Sequence, residues 1–177
     1  MRRWLIIAAG ILALGALSAG AAYERAGVGD DANAPWREIA WPFPRDGWPA
    51  GKAFRRGDVE VYVRPKIGFC NCDTGVADDD EVDRVADLDL ISERFAPLEP
   101  GRAVRIADMA GRIRPYELSM PDGSRHSAVG IAVSHRCDLL VAAAKGRGGA
   151  VAVERVALEF LESAKMSNWM LAAMEGR

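Results

Sequence analysis

The sequence predicts an α+β fold: a single small domain in which an antiparallel sheet carries a C-terminal amphipathic helix packed on one face. Two patterns carry that prediction. Val153, Val156, Ala157, Phe160, Leu161 and Ala164 fall at i, i+3, i+4, i+7, i+8 and i+11, the stripe of a helix lying on a core. Upstream, Val59-Glu60-Val61-Tyr62-Val63-Arg64 alternates with period two, and further short apolar runs are separated by turn chemistry, as antiparallel pairing requires. Composition agrees: 177 residues, 50% hydrophobic and 27% charged, suffice for one domain with a core of its own.

The chain opens with Met1-Arg2-Arg3 and an uncharged run from Trp4 to Ala22, long enough to cross a bilayer as a helix. Gly10, Gly15, Gly20 and the small-x-small sequence Ala19-Gly20-Ala21 favour removal by a peptidase over permanent anchoring. Residues 1–22 are therefore expected to be a signal peptide or an N-terminal membrane anchor, and the body periplasmic or inner-membrane-anchored facing the periplasm. No cysteine lies at the end of the run, so lipidation is not expected. Contact with a membrane is expected only through this segment.

Residues 23–35 read as a linker, with Gly27, Gly29, Asp30, Asp31 and Asn33 and no apolar period. Residues 36–177 form the predicted domain. Trp36, Trp41, Phe43, Trp48 and Phe54 alternate with Pro42, Pro44 and Pro49, which points to an extended wrap whose aromatics cover the core. The strand beginning at Val59 should turn its valines inward and end or bulge at Pro65. Asp78-Asp79-Asp80-Glu81 before Val82, Val85 and Ala86 reads as a capped acidic helix. Ala86, Leu88 and Leu90 then suggest extended chain.

Val104 to Ala107 and Ile113 to Leu118 read as strands around Ala110-Gly111, with Pro115 marking the second as an edge or a bulge. Pro121-Asp122-Gly123-Ser124 is a strong turn, followed by strands at Ala128 to Val133 and Leu139 to Ala142. The sheet is thus expected from about Val59 to Ala144. His126, beside that turn, reads as a surface histidine. Ser167 or Asn168 could cap a last short helix with Trp169, Met170 and Ala173.

The run Gly68-Phe69-Cys70-Asn71-Cys72 with Thr74 to Asp80, together with Arg136-Cys137-Asp138 and Leu158-Glu159-Phe160-Leu161, resembles a group of uncharacterised exported proteins from alphaproteobacteria. The resemblance implies export and a single small domain. It brings no activity with it.

The chemistry-bearing residues are the three cysteines. If Cys70-x-Cys72 and His135-x-Cys137 both lie on extended chain, each pair presents two ligands on one face, and together they make a Cys3His set suited to Zn(II) or Cu(I). The bland account is a disulfide from Cys137 to Cys70 or Cys72, stabilising by about 2–4 kcal/mol and leaving one cysteine over. Asp73, Asp78, Asp79, Asp80, Glu81, Asp83, Asp87 and Asp89 face Arg84 alone, but Val82 and Asp83 break the ligand order of a calcium loop, so a solvated helix start is the better account.

Other classes are excluded more firmly. Ser134 and His135 are adjacent and should point to opposite faces, and neither Gly-x-Ser-x-Gly nor His-Glu-x-x-His occurs. With 23 basic residues less Arg2 and Arg3 set against 25 acids, the exported body is acidic and no nucleic-acid partner is expected. The Gly146 loop lacks the spacing of a phosphate cradle. What the sequence supports is an exported, non-enzymatic binding or interaction protein for an unknown protein or small ligand, with no cofactor, or alternatively a periplasmic Zn or Cu protein using Cys70, Cys72, His135 and Cys137.

Overall fold

A computed structural model describes residues 34–44, 47, 49–68, 74–76 and 78–175. The body is the unit Trp36–Arg177, and the predicted export segment and the greater part of the linker lie outside the described residues. No helix among the described residues is long and apolar enough to cross a membrane.

The strands are β1 (Arg37–Ile39), β2 (Lys52–Arg56), β3 (Val59–Lys66), β4 (Phe95–Pro97), β5 (Arg102–Ile106), β6 (Met109–Ser119), β7 (Arg125–His135) and β8 (Asp138–Gly146). They form one antiparallel sheet in the order β1-β2-β3-β8-β7-β6-β4, with β5 also pairing β6. The described helices are α1 (Asp79–Val85), α2 (Leu88–Ile91), α3 (Ala150–Leu161) and α4 (Ala164–Glu175).

Alternation along each strand sends side chains to two faces. One face holds Val61 and Val63 of β3, Val129, Ile131 and Val133 of β7, and Leu140 and Ala142 of β8. Against it α3 buries Val153, Ala157, Phe160 and Leu161, the stripe read from the sequence, and α4 adds Met166, Met170 and Met174 one turn apart. The other face holds Tyr116, Leu118, Ala128, Ala132, Leu139, Val141 and Ala143, covered by Val82, Val85, Ala86 and Leu88 from α1 and α2. The sheet is therefore the middle of three layers. At Gly130 a Cβ would lie 2.8 Å from the Ala86 Cβ, so α1 packs directly on the β7 backbone.

The structure corrects several expectations. The sheet starts at Arg37, because the proline-rich wrap is bounded by β1 and β2. Its aromatics divide between the faces: Trp36 and Phe54 stack with Phe160, while Trp41 and Phe43 pack on Tyr62. β3 runs through Pro65, since β2 pairs only as far as Val63 and the missing N–H falls beyond it. The Ala86 to Leu90 stretch is not extended: Asp87, at φ 59°, turns the chain and helix α2 begins at Leu88. The β5–β6 turn lies at Ala107-Asp108, both at positive φ, and Gly111 is inside β6, where a Cβ would meet the Ala132 carbonyl oxygen at 2.0 Å.

Pro115 sits in an interior strand. Its carbonyl accepts from the Leu98 amide, on the side where β4 has ended and β5 has not begun, so no strand needs the N–H that proline lacks. His126 is half-buried and pairs with Leu118 rather than lying on the surface, and α4 begins at Ala164, before Ser167.

Candidate functional site

The valines of β3 point inward, as its period-two pattern predicts. All eight of its residues are buried, and the polar side chains of Glu60, Tyr62, Arg64 and Lys66 are each paired, with Arg64 Nη1 left without a hydrogen bond. The Arg64 Nε and Nη2 donate to Asp87 at 2.6 and 2.8 Å, and the Lys66 ammonium reaches Asp87 Oδ1 at 2.7 Å and the Val85 carbonyl at 2.8 Å. Glu60 accepts from the Tyr62 hydroxyl, from Arg55 Nε at 2.8 Å and from Lys145, whose Nζ lies 2.9 Å away. Burial by itself raises the Glu60 carboxyl, but the Tyr62 and Lys145 hydrogen bonds with the Lys145 charge outweigh it and hold it at about 2.

The acidic block follows the same rule. Asp78 caps α1 by accepting from the Glu81 amide at 3.0 Å, as its position before an apolar run predicts. Asp79 accepts from the Gly101 amide at 2.9 Å and from Arg112 Nη2 at 2.6 Å, which together keep its carboxyl below the ordinary range, the amide bond contributing most. Asp83 holds Arg114 at 2.8 Å and accepts from the Tyr116 hydroxyl. Burial, then the Asp83 contact, raises the Tyr116 phenol. Asp78 and Asp80 stay exposed, as a solvated helix start requires, while Asp79 and Asp83 tie α1 to β6 through Arg112 and Arg114.

One sequence feature could have revealed this arrangement. Leu139 to Ala144 is apolar without alternation, which marks a strand buried on both faces, and β3 beside it must then be covered on both faces too. Arg64 and Lys66 consequently needed partners, although nothing local names Asp87.

The cysteine constellation is described in part. Cys70 and Cys72 lie outside the described residues. Cys137 is half-buried in a two-residue turn, Arg136-Cys137, that joins β7 to β8 with Arg136 at φ 58°, so it does not share an extended strand with His135. His135 ends β7 on the α3/α4 face, its Nε2 3.9 Å from Glu175 Oε1 and without a hydrogen bond. The chain on either side of the Cys70–Cys72 segment is held at the same hairpin: the Gly68 amide donates to Asp138 Oδ1 at 2.5 Å, and a Cβ on Gly75 would lie 2.7 Å from Ser134 Oγ. Among the described residues, no group of three or more His, Cys, Asp or Glu side chains is arranged to hold a metal ion.

No protein-family model and no curated protein matches this chain. Among solved structures, it is similar to a Pseudomonas aeruginosa protein of unknown function at 10% identity, over 71% of this chain and 92% of that one, with a TM-score of 0.40. A likeness that loose carries no argument about activity.

Proposed function

We propose that the chain is an exported, non-enzymatic binding or interaction module fastened by a disulfide between Cys137 and either Cys70 or Cys72. The observation that carries the fastening is the double hold on the hairpin, Gly68 on Asp138 and Gly75 against Ser134. Cys70 is two residues from Gly68, a span of at most about 7 Å, and Cys137 is the neighbour of Asp138. Gly68 is hydrogen-bonded to that same Asp138, so chain connectivity keeps Cys70 in the neighbourhood of Cys137. The non-enzymatic reading is supported by the fate of the acidic groups: Glu60, Asp79, Asp83 and Asp87 are each engaged in an ion pair with a cation of the fold. Export rests on the N-terminal run and on the resemblance drawn from the sequence.

A thiol count on denatured, unreduced full chain tests the fastening. One free thiol per chain is expected, and three would overturn it. Metal binding is the second reading, with Cys70, Cys72, His135 and Cys137 taking Zn or Cu, and it is favoured by the His135 Nε2 having no hydrogen bond. It requires about one equivalent of metal in protein purified without chelator, lost on Cys137→Ser.

A further inference from the structure

A cleft of about 260 Å³ opens where the β1–β2 edge of the sheet meets the junction of α3 and α4, lined by Trp36, Phe54, Phe160 and four charged side chains. That is below the roughly 300–1,000 Å³ that admits a drug-sized molecule, so its occupant is small. Arg56 lies within it, its side chain 12% exposed and its guanidinium over the Trp36 ring at 4.8 Å, while Trp36 stacks on Phe160 at 4.2 Å. The stack fixes where the guanidinium sits. Its Nη1 has one partner, Glu159 Oε1 at 3.4 Å, a long contact to a carboxylate that is itself 60% exposed. Nε and Nη2 have no hydrogen bond among the described residues, and neither is sealed from water.

We propose that this cleft binds a small organic carboxylate with an apolar body. Nε and Nη2 form the edge by which a guanidinium takes a carboxylate at two points, as Arg64 takes Asp87 in this same chain. On Arg56 that edge is open. Charge favours an anion: Lys52 meets Glu38 at 3.1 Å, which leaves Arg56 and Lys165 against Glu159 alone. Lys165 is exposed and has no ion pair among the described residues. Ser163 and Lys165 also bracket the start of α4, so the positive end of that helix lies at the cleft. The aromatic walls suit an apolar body, which phosphate and sulfate lack. The site gives the binding role proposed above a ligand class and rests on that role, but not on the disulfide. His135 and the cysteine hairpin stand by Glu175 at the far end of α4, about 15 Å along the helix from Lys165.

An NMR titration of the isotope-labelled full chain with three probes, at neutral pH and constant ionic strength, tests the proposal. Sodium benzoate has charge and body, benzyl alcohol the body alone, and sodium sulfate the charge alone. Benzoate should bind saturably with a Kd at or below about 1 mM, moving the Trp36 indole and the Ser163 to Lys165 amides, and neither of the others should saturate. Arg56→Gln should weaken benzoate about 10–100-fold. Lys165→Gln should weaken it about 2–5-fold, and Glu159→Gln, which removes the competing carboxylate, should tighten it by about the same factor. No saturable benzoate binding, sulfate or benzyl alcohol binding as tightly as benzoate, or shifts confined to another part of the chain would each overturn it. If Arg56→Gln does not fold, the opposite responses of Lys165→Gln and Glu159→Gln decide. One free thiol per chain with no benzoate binding rejects the carboxylate and leaves the fastened module; three free thiols with benzoate bound does the reverse.

Discussion

Arg64 on β3 and Asp87 before α2 stand 23 residues apart in sequence and form a two-point ion pair at 2.6 and 2.8 Å between the sheet and its second helical layer. Lys66 closes on the same carboxylate. Each member is largely withdrawn from water, so the arrangement depends on all three being present.

Asp87→Asn keeps the shape and the left-handed backbone that asparagine tolerates, and it removes only the charge. Two buried cations then lose their counter-ion, and the expected loss is about 3–5 kcal/mol. Urea unfolding should show a lower midpoint at unchanged slope. Adding Arg64→Leu to that variant should cost less than the two single losses combined, because the second change removes one of the stranded charges.

Glu60 gives the acid limit. Its folded pKa of about 2 lies below the ordinary 4.5, so its contribution is complete above 4.5 and is lost as the pH falls toward 2. The shift corresponds to roughly 3 kcal/mol. Stability measured by denaturant at a series of pH values should fall across that window, and Glu60→Gln, itself less stable at neutral pH, should show a shallower fall.

Two of the three tyrosines give the alkaline limit. Tyr62 and Tyr116 are both raised from 10.0, first by burial and then by Glu60 and Asp83 respectively. A raised folded pKa stabilises below the unfolded value and loses that contribution as the pH rises past 10.0. Tyrosinate absorbance should show Tyr62 and Tyr116 ionising only as the chain unfolds.

Two glycines should respond oppositely to alanine. At Gly111 the added Cβ meets the Ala132 carbonyl at 2.0 Å, backbone that cannot turn aside, and at least about 1–3 kcal/mol should be lost. Gly148 has only the Ala152 Cβ at 3.7 Å, and Gly148→Ala should stay within about 0.5 kcal/mol of the parent. Paired thermal melts distinguish them.

What could be read from the sequence was whatever a few neighbouring residues encode. The Val153 to Leu161 stripe, the Asp78 cap and the Pro121-Asp122-Gly123-Ser124 turn each state their structure within about one turn of chain, and all three stand in the fold. The Pro115 reading failed because proline forbids only a hydrogen bond that a neighbour needs, and the neighbouring strands leave a gap there. Likewise, period two in β3 separated a valine face from a polar face without revealing that the polar face is covered too, by Trp41 and Phe43 on Tyr62 and by Asp87 on Arg64 and Lys66.

Only the tertiary structure decided which side chain meets which. Arg64 with Asp87, Arg112 with Asp79, and His135 beside Glu175 join residues 23, 33 and 40 positions apart. No local preference encodes such pairs, because each is selected by the free energy of burying a charge and by the sheet order that brings its partner within reach.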